Sequence, residues 1–349
     1  MSTATTPRKY FASLDIMKLL MALAIMFAHI CSENVTVHPI FKTITSVYNF
    51  GVPFFFACSG FLFFLKFKSE KQKNHKSIYI RFTKRILLMY AVWSAIYFCF
   101  VLINWIQDGA SSEVILKYFH KALVFTTYGT IWFLPSLWIG VSIVFGLLYF
   151  KININQVAII AFIFYIVGTF GFSYFPLVEG TFLGKIYGGY NTIFYTTRNG
   201  IFAGFPFVFI GTFLAFKGVK GKNVTNLLLT IMFCSLFVIE AIFIKNKMQT
   251  NVDMGLMLLP AIYFMMSWLI NFELKPKPIY LRFRNQSMLI FLGQRLFITA
   301  IPSILPSSYM AAITQNNYVG LFVFVASTIL FSLLIEYLSK KYHWLKILW

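Results

Sequence analysis

Along the chain, runs of mostly apolar residues alternate with short polar stretches, and ten runs approach the roughly 20 residues a helix needs to cross a bilayer's hydrocarbon core. They lie at about 13–31, 47–67, 86–106, 131–150, 156–175, 200–216, 225–244, 254–270, 286–305 and 318–338. In lipid a segment must satisfy its own backbone N–H and C=O groups, so each run predicts a helix. Pro206, Pro260 and Pro302 fall inside three of the runs and predict local kinks. No soluble domain or internal repeat interrupts the pattern. Residues 1–349 therefore read as one integral membrane domain, an all-α polytopic bundle.

Composition supports this reading. The 349 residues are 59% hydrophobic and 11% charged, whereas a soluble domain carries about a quarter charged residues. The formal net charge of +20 raises the question of nucleic acid. Its Lys and Arg residues punctuate apolar runs instead of gathering in a polar domain, so no nucleic-acid partner is expected. Cys31, Cys58, Cys99 and Cys234 fall in or beside hydrophobic runs without chelating spacing, and read as small buried apolar residues. The first run lacks a small-residue cleavage site and is expected to stay as an anchor.

Orientation follows from the basic residues, which stay on the cytoplasmic side of short loops. With the N-terminus inside, 21 of the 30 Lys and Arg fall in inner segments and 7 in outer ones, leaving Lys18 and Arg295 within helices. Both termini are expected to be cytoplasmic.

Ionisable groups at membrane depth are costly and mark functional sites. Asp15 and Lys18 share one face of the first helix and can pair near its inner end, or serve as interfacial anchors. His29 follows Lys18 by eleven residues, three turns with about 20° of drift, which puts it on the same face about 16 Å further across. Imidazole is the side chain best able to take and return a proton near neutral pH. His38, His75, His120 and His343 lie in loops or the tail and read as solvated. No nucleophile elbow, metal-ligand spacing or phosphate loop occurs, so no metal is expected.

These residues resemble the acyltransferase type-three family of integral membrane proteins, which O-acylate polysaccharides, lipid-linked sugars and other surface glycans. Leu14-Asp15-Ile16-Met17-Lys18, ten mostly apolar residues and then His29 resemble the family's Asp-x-x-Arg, ten residues, His pattern, with Lys18 where Arg is usual. That exchange keeps the charge and loses the bidentate fork. The run from Gly51 to Phe61 resembles the family's aromatic stretch ending in Ser-Gly-Phe, here Ser59-Gly60-Phe61. Arg81, Lys84 and Arg85, followed by Tyr90 and Trp93, are similar to the basic entry to the third helix. Ile131-Trp132-Phe133-Leu134, the segment from Arg198 to Gly211, and Ser287 to Gln294 resemble later family segments, with Gln294 where His is frequent.

The resemblance implies acyl-coenzyme A, usually acetyl-coenzyme A, as donor, a saccharide or glycolipid acceptor beside membrane lipid, and a bacterial inner-membrane location. Donor phosphates could meet Arg81, Lys84 and Arg85, which also suit positive-inside orientation and anionic lipid. His29 would act as general base or receive the acyl group transiently, with Asp15 and Lys18 on the same helix. Ser59 is a candidate oxyanion donor, or a small residue permitting close helix packing. Trp132 and Arg198 could bind the acceptor at the outer boundary, where an aromatic belt also places Trp. Glu240 could pair with Arg198 or Lys245, and Gln294 and Arg295 complete the candidate set. Ten spans with kinking prolines and buried charges also describe a transporter or flippase, and Lys18 and Gln294 suit a scaffold that has lost catalysis.

Overall fold

The computed structural model describes residues 10–33 and 45–349. His38 and Lys42, and the basic Arg8 and Lys9, lie outside the described residues. Within them the chain forms α-helices, 3-10 and π turns, and no strand. The helices are α1 (Ala12–Glu33), α2 (Gly51–Ser69), α3 (His75–Asp108), α4 (Ser112–Val124), α5 (Phe133–Tyr149), α6 (Ile154–Phe170) and α7 (Phe182–Phe194). They continue with α8 (Phe205–Lys217), α9 (Asn223–Phe243), α10 (Leu258–Asn271), α11 (Pro278–Arg295), α12 (Ser307–Thr314) and α13 (Asn317–Leu338). Eight helical segments are long and apolar enough to cross a membrane, and the shorter apolar α6 and α10 fall on the two remaining expected runs.

Helices have little hydrophobic reason to associate in lipid, so close approach and shape carry the packing. The α2–α8 pair shows how this is done. A Cβ on Gly60 would collide with the Val208 carbonyl oxygen, and one on Gly211 with that of Ala57. Around this contact the aromatic run fills the core, with Phe54, Phe55, Phe56, Phe133, Phe205, Phe207 and Phe291 almost wholly buried. The Ser-Gly-Phe stretch is thus the floor of a helix crossing. By contrast, α9 and α13 turn leucine and isoleucine outward, including Leu228, Ile239, Leu330 and Leu334, where lipid would cover them.

Four sequence expectations change. The outer stretches 107–130 and 176–197, read as loops, hold the 13-residue helices α4 and α7, capped by Ser111 and Thr181. Each is too short to span, and each exposes apolar residues such as Leu116, Leu123, Phe182 and Ile186 beside lysines, as an interfacial helix does. The basic stretch before the third run is also helical: α3 begins at His75, because Lys and Arg are good helix formers. The expected kinks take another form. Pro206 and Pro302 follow the π turns Gly200–Gly204 and Leu296–Ala300, so the carbonyl four residues before each proline sits in a widened turn, and Pro260 lies in the first turn of α10. Of the cysteines, Cys31 and Cys58 are buried, whereas Cys99 is exposed and Cys234 half-buried on outward faces.

Helix alternation sorts the polar groups into two ends. The turns carrying Lys66 to Lys76, Lys217 to Lys222, Lys275 to Arg284 and Lys340 to Lys346 lie at one end. The C-terminal ends of α1 and α11 and the starts of α2, α5, α8 and α10 meet at the other.

Candidate active site

The first helix carries both its polar features in fixed contacts. Near the basic end Lys18 Nζ lies 3.7 Å from Asp15 Oδ1, both residues are buried, and the Tyr10 hydroxyl donates to Asp15 Oδ2 at 2.8 Å. At the far end of α1, His29 meets α11, which packs along it. His29 Nδ1 lies 3.1 Å from Gln294 Oε1, while Gln294 Nε2 donates to the Phe291 carbonyl at 3.0 Å. The second bond orients the amide: its nitrogen satisfies a carbonyl, so its oxygen faces the imidazole. Because that oxygen can only accept, Nδ1 carries the proton and Nε2 keeps its lone pair. Gln294 is wholly buried, which holds this arrangement in place.

His29 lines a cavity of about 190 Å³, together with Tyr48, Trp132, Arg198, Asp253 and Arg295. Four of these come from loops or helix starts and two from helix ends. Arg198 is fixed from several directions. It forms an ion pair with Asp253, and its guanidinium carbon lies 4.8 Å from the Trp132 ring centre and 5.6 Å from that of Phe172. Asp253 also accepts from the Tyr48 hydroxyl at 3.3 Å. The backbone beside Arg198 is held by Asn199, whose side-chain oxygen caps the following π turn at Ile201 N and Phe202 N. Burial lowers the Arg198 guanidinium to about 10, so it stays charged at neutral pH. Arg295 enters beside Gly129, where an added Cβ would stand 3.2 Å from its side chain.

Glu240 occupies a different position from the one expected. Its carboxylate accepts from Leu256 N at 2.5 Å, Met257 N at 2.9 Å and the Tyr174 hydroxyl, so it caps the entry to α10 and pairs with neither Arg198 nor Lys245. A carboxylate is well suited to the unpaired N–H groups at a helix start. Further bonds fix the same loop: Met254 N donates to Ser173 Oγ at 3.1 Å, Thr250 Oγ1 to the Ser173 carbonyl at 2.6 Å, and the Tyr165 hydroxyl to the Gly255 carbonyl at 2.6 Å. Residues 250–257 thus form a clamped loop that delivers Asp253 to Arg198.

The other expected residues are dispersed. Ser59 is half-buried in the α2–α8 crossing and does not line the cavity. Arg81, Lys84 and Arg85 lie exposed on the first turns of α3 toward the basic end, where Arg85 donates to the Trp349 main-chain oxygen at 2.9 Å. His120 bonds the Tyr195 hydroxyl at 3.0 Å, and His75 stacks on Phe67, both outside the cavity. The structure therefore gathers His29, Trp132, Arg198, Gln294 and Arg295, and leaves Asp15, Lys18, Ser59, Glu240 and the basic trio elsewhere. Asp253 and Tyr48 were missed. The available signal was scarcity, since the chain has only ten acidic residues and Asp253 sits at the outer edge of an apolar run.

Comparison with known proteins agrees with this architecture. Residues 11–337 match the family described as an acyltransferase domain. The chain is 27% identical over 275 residues to an amino-acid racemase of Enterococcus faecalis, an alignment covering 77% of this chain and 37% of that protein. The chain thus spans little more than a third of that relative's length. No solved structure matches the chain. The family match covers nearly every described helix, and it shows that the chain belongs to the acyltransferase type-three family of membrane proteins.

Proposed function

We propose that the chain transfers an acyl group, acetyl in the first instance, from acyl-coenzyme A to a hydroxyl of an extracytoplasmic saccharide or glycolipid. The observation that carries this reading is the Gln294 amide at His29 Nδ1, which leaves Nε2 as a base beside a polar cavity. Nε2 takes the hydroxyl proton while the acceptor oxygen attacks the thioester carbonyl carbon. A C–O bond forms, the C–S bond breaks, and the proton passes to the departing thiolate sulfur, giving an ester and free coenzyme A. Alternatively Nε2 attacks the thioester carbonyl first and expels coenzyme A thiolate, and the hydroxyl then takes the acyl group from the acylimidazole, which releases the imidazole as the hydroxyl proton leaves. Arg295, which lines the same cavity, would stabilise negative charge on the carbonyl oxygen.

The donor would approach from the basic end, with Arg81, Lys84 and Arg85 meeting its phosphates, and the acceptor from the end that holds the cavity. The chain would then lie in a bacterial inner membrane with both termini cytoplasmic, and transfer would move the acyl group across the bilayer. The 21 to 7 bias of basic residues supports that orientation.

The test uses sealed vesicles of known orientation, with labelled acetyl-coenzyme A on the face of the lysine-rich loops and an impermeant saccharide on the other. Labelled ester on the saccharide is the expected result. Transfer only when both substrates share one face would overturn the cross-membrane route, and saccharide movement without thioester consumption would make the chain a carrier. The name of the relative makes amino-acid racemisation the control reaction, expected to be absent.

A further inference from the structure

The Arg198–Asp253 pair is the most firmly built polar element in the cavity, and its chemistry limits what can bind there. Each partner retains access, with side-chain exposures of 29% for Arg198 and 16% for Asp253. Each also retains hydrogen-bonding capacity. A guanidinium has five N–H donors, and Nη1 is the nitrogen that lies against Asp253 Oδ2. A carboxylate offers about four acceptor positions, of which Arg198 and the Tyr48 hydroxyl take two. Donors and acceptors therefore stand side by side on one rigid edge.

An anionic ligand gains little from such an edge. A charge brought to Arg198 also approaches Asp253, so attraction and repulsion offset each other at this edge, and the second cation of the lining, Arg295, is the one assigned to the thioester carbonyl. A hydroxyl group both donates and accepts, so adjacent hydroxyls can bond Asp253 and Arg198 together. The edge is also preorganised. The guanidinium carbon lies over the Trp132 and Phe172 rings, and Glu240, Ser173 and Tyr165 clamp the loop that carries Asp253. Little ordering remains for the ligand to impose.

We infer that the Arg198–Asp253 pair is a subsite for adjacent hydroxyls of an uncharged sugar ring, so the acceptor is a neutral glycan and not a uronic or sialic type of acidic one. This rests on reading the cavity as the acceptor site and adds the charge class of the acceptor to it. The ion pair acts as a filter because it is closed: opening it would leave Arg198 as an uncompensated cation that favours carboxylates.

The purified full chain in lipid nanodiscs provides the test, with methyl glucoside and methyl glucuronide as matched probes differing in one carboxylate. Direct titration of the wild type should show the glucoside binding at least about tenfold more tightly. Asp253→Asn should reduce that preference or reverse it, because the glucuronide gains the charge that Asp253 had balanced. The wild-type comparison stands even where the variant fails to fold. Tighter binding of the glucuronide by the wild type, or an unaltered preference in a folded Asp253→Asn, overturns the inference alone. Binding of neither glycoside overturns the acceptor reading as well, and thioester consumption measured in parallel then reports whether acyl transfer survives.

Discussion

The two ends of the bundle use charge in opposite ways. At the basic end positive residues are numerous and mostly exposed, and contacts such as Lys68 with the carbonyls of Ala215 and Phe216, or Arg85 with that of Trp349, satisfy helix ends. At the cavity end there are few, yet Arg198 lies over two rings and against a carboxylate, and Arg295 fills the space beside Gly129. Abundant charge orients a chain in a membrane, whereas fixed charge can do chemistry. The sparsely charged end is therefore where substitutions should matter most.

That contrast can be broken outright by topology. In a background without the four native cysteines, an impermeant thiol reagent should label Leu116→Cys in α4 and Ile186→Cys in α7 from outside, and leave Lys73→Cys unlabelled. The opposite pattern would exchange the two ends. Next in size is His29→Ala, expected to lower acyl transfer by about 10²–10⁴-fold with insertion intact, as loss of a proton-transfer group does. Gln294→Leu should follow the same direction with a smaller loss, since Nδ1 then lacks its acceptor. A well-inserted, fully active His29→Ala would remove the imidazole from the reaction.

Breaking the ion pair sharpens the comparison through stability. Asp253→Ala leaves the half-buried Arg198 guanidinium without its carboxylate and should cost about 1–3 kcal/mol, read as lower abundance and earlier thermal aggregation. The double variant Arg198→Ala, Asp253→Ala should recover much of that loss, and a merely additive double variant would show that the two charges are independent. Glu240→Gln should act more gently by loosening residues 250–257, raising the acceptor KM severalfold with kcat retained. Smallest of all, Arg85→Ala should raise only the KM for acyl-coenzyme A. An acceptor defect in that variant would contradict a basic end devoted to the donor.

The spans were legible because lipid demands long apolar helices, and length alone reports them. The interfacial helices α4 and α7 escaped because 13 residues mixing Lys with Leu and Phe resemble a loop when only spanning length is scored. In the site, His29 and Arg295 were visible as ionisable groups at unusual depth, and Arg198 as a cation at the sparsely basic outer boundary. Glu240 was visible for the same reason and took a wrong partner, since depth reports that a carboxylate is held but not by which group. Backbone N–H groups, which no sequence letter displays, hold it. Asp253 lies on a loop without periodicity, so only the fold could bring it to Arg198. Gln294 looked like a loss relative to the family pattern, whereas its amide orients the imidazole that the pattern supplies.

The unequal lengths of the helices have a consequence for the surrounding bilayer. At 1.5 Å per residue the 34 residues of α3 extend about 51 Å, and the 14 of α10 only about 21 Å, against a hydrocarbon core of about 30 Å. The long α3 must tilt or project into the headgroups, whereas α10 is mostly buried among its neighbours and meets little lipid. Such mismatch costs fractions of a kcal/mol per Å, so the annulus is uneven around the circumference. Acyl-chain length in the host membrane thus becomes a physical variable of the protein, acting through the tilt of α3.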